Sequence, residues 1–220
     1  MTDLVQDVFR ATAIFAAVMS LVPFLVWAER RVSAWIQNRV GPNRVGPLGL
    51  LQPVADVIKL LFKEEIVPAR ADKVLYALGP FLAFAPAALA FTAIPVGRGL
   101  AVCDMSVGVL FVITATSLAV YGISFGGWAS NNKFSLLGGL RSSAQIISYE
   151  IAMGLALVSV LMTSGSVSAT EIAESQVGIL SWNIFRQPLA FVIFFVSAFA
   201  ENNRLPFDLP ECEPELVGGY

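Results

Sequence analysis

The strongest constraint on this chain is where its charges are missing. Residues 11–28, 74–97, 105–132 and 151–170 contain no Asp, Glu, Lys or Arg, and the last stretch extends N-terminally past Glu150 to about Ala144. A fifth run, 187–200, reaches spanning length only if 179–185 is added and Arg186 stretches its guanidinium toward the headgroups. A hydrocarbon core of about 30 Å needs about 20 helical residues, so these runs predict five membrane-crossing helices. The composition agrees: 56% of the residues are hydrophobic and only 14% charged, more apolar surface than a water-soluble core of this length encloses. The expected architecture is an all-α polytopic membrane protein with about five transmembrane helices. They lie at about 8–28, 74–96, 105–127, 144–165 and 179–201 in a single membrane domain, 1–220, joined by loops at 29–73, 128–143 and 202–220.

Thirteen of the 30 charged residues fall between positions 29 and 73, and six between 201 and 215. If 29–73 is cytoplasmic, 11 of the 14 basic residues lie on that side, leaving Arg10, Arg98 and Arg186 opposite. The positive-inside rule then puts the N-terminus outside and the large loops in the cytoplasm, or in the equivalent compartment of an organelle. The acidic start and the basic cluster after the first apolar run read as a retained helix rather than a cleaved signal peptide.

Several chemistries are absent from the sequence. There is no histidine, so histidine-ligated haem, histidine-containing zinc sites and Ser-His or Cys-His nucleophiles are excluded. Cys103 and Cys212 stand apart without a CxxC spacing, so neither an iron–sulfur cluster nor any other metal centre is expected. A net charge of -2 gives no reason to expect nucleic acid as a partner.

Within the first charged segment, residues 37–49 hold three Gly and two Pro and predict a rigid, turn-rich loop displaying Arg39 and Arg44. Residues 50–63 predict an amphipathic helix, because Gln52, Asp56, Lys59 and Lys63 recur at i, i+4, i+7 and i+11 as one polar stripe. Such a helix either lies flat at the membrane surface or turns its narrow stripe toward a cavity. In the fourth span Glu150 is a carboxyl at membrane depth, about 9 Å in if the helix starts near Ala144. An acid there is by default a proton or ion site, the alternatives being pairing with Arg141 or reach to the headgroups. Charges close two other spans: Glu29, Arg30 and Arg31 the first, Glu201 and Arg204 the fifth. Beyond them Pro206, Pro210 and Pro214 forbid a regular helix, and Asp208, Glu211, Glu213 and Glu215 make that segment acidic.

Three stretches carry a resemblance to a known family. They are ER…QNRVGPNRVGPLGLLQPVADVIKLLFKE (29–64), GWASNNKFSLLGGLRSSAQIISYE (127–150) and AENNRLPFDLPECEPELVGGY (200–220). Together they resemble the H-subunit family (the first subunit in mitochondrial nomenclature, with a plastid counterpart) of proton-pumping NADH:quinone oxidoreductase, respiratory complex I. The resemblance implies a membrane subunit that helps enclose the quinone chamber and couples quinone reduction to proton translocation. Quinone would be a substrate at a shared site, with no catalytic residue and no redox centre in this chain alone. Glu29, Arg30, Arg39, Gln52, Asp56 and Lys59 would belong to the quinone chamber. Glu150, Glu201, Arg204, Asp208, Glu211, Glu213 and Glu215 would serve proton coupling.

The implied partners are the iron–sulfur subunit carrying the terminal cluster, the large quinone-site subunit, small membrane subunits and lipid. The implied location is the bacterial inner membrane or an organellar inner membrane. Family members have about eight spans, so five are expected to represent a fragment, a split product or a plan completed by another polypeptide. Readings left open are the homologous subunit of a membrane-bound hydrogenase or ferredoxin-linked complex, a stand-alone proton-coupled transporter, and a purely structural anchor.

Overall fold

The computed structural model describes residues 2–64, 66–97, 101–204 and 206–207, with residues 2–7 as backbone only. Asp208, Glu211, Glu213 and Glu215, and with them Cys212, lie outside the described residues. Among the described residues the regular structure is entirely helical, and four helices are long and apolar enough to cross a membrane: Val8–Ile36, Lys73–Ala93, Gly108–Ala129 and Lys133–Ser164. The protein is an all-α polytopic membrane protein. It divides into two compact units, Met1–Ile66 and Val67–Tyr220.

The first unit contains α1 (Thr2–Ile36) and α2 (Gln52–Leu61). The chain between them folds back on the end of α1. Trp27 donates its indole N–H to the Leu48 carbonyl at 3.0 Å, and Arg31 donates to the Pro42 carbonyl at 3.0 Å. The reversal needs left-handed backbone at Gly49, φ +76°, where a Cβ would stand 2.2 Å from the Pro42 oxygen; only glycine fits. Pro53 occupies the first turn of α2, where its missing N–H leaves no helical bond unmade. The helix is shorter at both ends than the predicted 50–63, closing in a turn at Phe62.

The second unit is a row of helices in which α3 (Lys73–Ala90) packs on α5 (Ala119–Ala129), α5 on α6 (Lys133–Ser164), and α6 on α9 (Pro188–Glu201). Short helices α4 (Gly108–Ser117), α7 (Ala169–Glu174) and α8 (Asn183–Arg186) complete it. The buried apolar side chains are small: Ala90, Ala93, Ala115, Ala129, Ala156 and Ala200 dominate, while most large ones face outward. That inversion is expected where the outer solvent is lipid, because close backbone approach rather than apolar burial holds the helices together. Gly122 shows how close. A Cβ there would meet the Gly79 carbonyl oxygen at 2.6 Å and the Ala83 nitrogen at 2.8 Å.

α4 and α5 form one span with a loosened turn at Leu118. Thr116 donates its hydroxyl to the Ile113 carbonyl at 3.0 Å, competing with the backbone for it, and the Ser117 oxygen lies 2.8 Å from the same carbonyl.

Two boundaries differ from the sequence expectation. α6 starts at Lys133, not near Ala144, because Asn132 caps it by accepting from the Phe134 N–H at 3.0 Å and no proline or glycine turn interrupts 133–164. Most of the expected 128–143 loop is therefore helix, and Glu150 lies near the middle of a 32-residue helix. The fifth apolar segment is the 14-residue α9, preceded by a 3-10 turn at Ile179–Ser181 and by α8. Pro188 drives Gln187 out of helical geometry, to φ −138°, and so separates α8 from α9.

The α3–α5 contact yields a test. Gly122→Ala should cost about 1–3 kcal/mol by overpacking against backbone that cannot yield, read as a lower unfolding midpoint of the detergent-solubilised protein. Gly126→Ala, with nothing within 4 Å of its added methyl, should be close to neutral.

Candidate functional site

In the first unit, Arg30 near the end of α1 donates to the Asp56 carboxylate on α2 at 2.5 Å. Gln52, one turn before Asp56, donates to its other oxygen at 3.1 Å. The polar stripe read in the sequence thus places two of its members on one another and gives them an arginine of the neighbouring helix. The Arg30 hydrogen bond, with a smaller contribution from Gln52, holds the Asp56 carboxyl below the usual carboxylate range. Arg39 donates to Gln37 at 2.6 Å and its backbone N–H reaches the Ala34 carbonyl, which fixes the start of the turn-rich loop. Lys59 is exposed, as are Glu29 and Arg39. Arg30, Gln52 and Asp56 are brought together directly; Lys59 acts on Asp56 only through its charge.

In the second unit, Glu150 is half-buried on α6 and takes a very short hydrogen bond from the Ser117 hydroxyl at the end of α4. Glu201, the last residue of α9, lies within electrostatic reach of Glu150. Arg204 is exposed just beyond α9. A crevice of about 530 Å³ runs along α5 and α6, lined by Ser117, Tyr121, Ser124, Ser143 and, at one end, Glu150. Ser124 and Ser143 share a 2.8 Å hydrogen bond across it. A carboxyl hydrogen-bonded to a hydroxyl in an otherwise apolar helix pack can hold and exchange a proton. Among the described residues, no cluster of three or more Cys, Asp or Glu side chains is arranged to hold a metal ion.

The sequence singles out Glu150 and Glu201 but not the groups that surround them. Ser117, Ser124 and Ser143 were signalled only as polar residues in apolar runs, a signal many membrane serines give while bonding back to their own helix. Gln145 was missed as well. It is half-buried on α6 and reaches three acceptors at the end of α9 and beyond: the Ala200 carbonyl at 3.1 Å, Asn203 Oδ1 at 3.2 Å and the Phe207 carbonyl at 2.8 Å.

The Arg30–Asp56 contact has a pH signature. The folded-state pKa of Asp56 lies below its ordinary 3.8, so the stabilisation is fully present above that value and is lost as the pH falls through the folded value. The melting midpoint of the wild-type chain should exceed that of Asp56→Asn at neutral pH, and the gap should close below about pH 3.8. Because the side chains are 47% and 33% exposed, the gap is small and should shrink further in high salt.

Comparison with known proteins places this chain in a family. The family described as NADH dehydrogenase matches residues 9–220. The chain is 54% identical over 213 residues to NADH-quinone oxidoreductase subunit 8 of Rhodothermus marinus, covering 96% of this chain and 62% of that protein. It is 50% identical to an H-type subunit of NADH-quinone oxidoreductase from Cytophaga hutchinsonii, covering 99% of this chain and 66% of the relative. Against the corresponding H-type protein of Geobacter metallireducens it is 52% identical, with 99% and 68% covered. The chain thus spans about two-thirds of the length of the curated relatives it matches. A match across almost every residue, carried by relatives half identical to it, makes this chain a member of the NADH dehydrogenase family.

Proposed function

We propose that this chain is a membrane subunit of a proton-translocating NADH:quinone oxidoreductase, where it forms part of the quinone chamber and couples quinone reduction to proton translocation. The observation that carries the reading is Glu150: a half-buried carboxyl midway along a membrane helix, hydrogen-bonded to Ser117 and within electrostatic reach of a second carboxyl, Glu201, on another helix. An acid held at such depth is by default a proton or ion site, and the relatives are named as subunits of NADH-quinone oxidoreductase, which supports the reading.

In this reading the quinone headgroup and tail meet Glu29, Arg30, Arg39, Gln52, Asp56 and Lys59. The Arg30–Asp56 bond holds a guanidinium and a carboxylate in fixed orientation, and the apolar residues of α2 guide an isoprenoid tail. Reducing a quinone to a quinol takes two electrons and two protons. The electrons come from the iron–sulfur subunit carrying the terminal cluster, docked beside the large quinone-site subunit, because this chain has no redox ligand set. Proton demand at the quinone changes the charge of the acidic segment, Asp208, Glu211, Glu213 and Glu215, and with it the field on Arg204, Glu201 and Glu150. Small membrane subunits continue the path. The N-terminus lies outside and the charged loops face the cytoplasm of a bacterial inner membrane, or the matching side of an organellar one.

Glu150→Gln keeps the shape and removes the proton. In the assembled complex it should reduce proton translocation at least about tenfold, measured as acidification of inverted membrane vesicles. Normal translocation in a fully assembled variant would remove Glu150 from the pathway. A photoreactive quinone analogue should label α2, and labelling confined to other subunits would take α2 out of the chamber wall. Co-purification with a nickel–iron hydrogenase large subunit would reassign the electron donor.

A further inference from the structure

At the opposite end of α6 from its Asn132 cap, the chain entering α9 leaves an apolar groove with a cation beside its mouth. The groove, about 510 Å³, starts at Gln187 and runs between α6 and α9, lined among others by Ala152, Leu155, Ala156, Leu189 and Ile193. From Ser159 to Ala152 it follows two turns of α6, about 10 Å by helical rise. Leu155 and Leu189 line it and stay exposed. The polar atoms at the mouth are already bonded. Gln187 uses both amide hydrogens, one on the Ser159 carbonyl at 2.9 Å and the other on Thr163 Oγ1. Its Oε1 lies 2.9 Å from the Ser159 hydroxyl. These groups hold no spare donor for a polar guest, so the groove suits hydrocarbon.

Arg186 is the second observation. It ends α8 immediately before Gln187 and is exposed; among the described residues it makes no ion pair and no side-chain hydrogen bond. It is also one of the three basic residues that the charge pattern sets apart from the charged loops. Trp182 and Phe185, on either side of the short α8 turn, are exposed, as aromatic side chains are at headgroup level. We propose that this end of the α6–α9 contact is a phospholipid site. An anionic phospholipid places its phosphate on Arg186 and lays an acyl chain in the groove between the two helices. A guanidinium holds phosphate oxygens by paired, charge-assisted hydrogen bonds. A zwitterionic headgroup brings its own cation and gains less from the same arginine. A purely apolar helix laid in the groove would leave Arg186 without a counter-charge, whereas one lipid satisfies both features. The site is independent of the quinone reading, since it needs only that α6 and α9 meet lipid at this end.

The test uses the assembled complex in phosphatidylcholine vesicles that contain a trace of photoreactive lipid with a diazirine on its acyl chain. Phosphatidylglycerol and phosphatidylcholine probes bearing the same chain are compared, and the labelled positions are read by mass spectrometry. The phosphatidylglycerol probe should label positions 152–159 or 187–193 at least about fivefold more than the phosphatidylcholine probe, the effect of one basic side chain near an anionic headgroup. Arg186→Gln should abolish that preference. Equal labelling by the two probes, or a preference that survives in Arg186→Gln, overturns the assignment. So does the absence of label from both segments, the result expected where another protein helix fills the groove. Should Arg186→Gln fail to assemble, the comparison of the two probes on the unaltered complex decides.

Discussion

In a lipid solvent, apolar side chains gain nothing by leaving the surface, and every polar group must find its partner within the protein. Both consequences are visible in the second unit. Helices approach through glycine and alanine, with Gly122 of α5 so near α3 that a single methyl would strike backbone. Most hydroxyls bond back to their own helix: Thr114 to the Leu110 carbonyl, Ser148 to Ala144, Ser164 to Val160. Against that background the side chains bonding across helices stand out. They are Ser117 to Glu150, Ser124 to Ser143, Gln145 to the chain around Ala200 and Phe207, and Gln187 to Ser159. The first two lie at the candidate site, so the sorting of polar groups by partner also marks that site.

The first unit obeys a different constraint. Its loop and amphipathic helix are held by groups that water can reach. An arginine–aspartate contact, an indole and a guanidinium on backbone carbonyls, and a glycine at positive φ carry most of the geometry. The large apolar side chains of α2 and its closing turn, Leu60, Leu61 and Phe62 among them, stay exposed. Asp56, Lys59 and an exposed apolar face occupy one short helix, α2, with Arg30 of α1 held against it.

Much of this was legible in the sequence, for physical reasons. Spans are readable because a charge in hydrocarbon is costly, so the uncharged runs mark them. The stripe on α2 is readable because helical periodicity puts positions 52 and 56 on one face, and the structure joins them through Asp56. Helix ends were less legible. Lys133 and Arg141 looked like loop residues by charge, yet a capped helix with no breaker runs straight through them. Pro188 marks the break at Gln187 locally, but the bonds Gln187 then makes to Ser159 on α6 are revealed by no local pattern. Gln145 was invisible for the same reason: its partners lie at least 55 residues away. The acidic positions from Asp208 onward lie outside the described residues, so they stand on sequence alone.

The shortness of α9 has a consequence for the membrane itself. Fourteen residues rise about 21 Å, some 9 Å less than an ordinary hydrocarbon core. A helix that short is accommodated by a bilayer that dimples inward beside it, by flanking polar residues reaching for the surface, or by both. Gln187 at one end and Glu201 at the other are the residues such thinning would bring nearest to water. The helix that ends in Glu201 is therefore also a place where hydrophobic mismatch lowers the dielectric barrier.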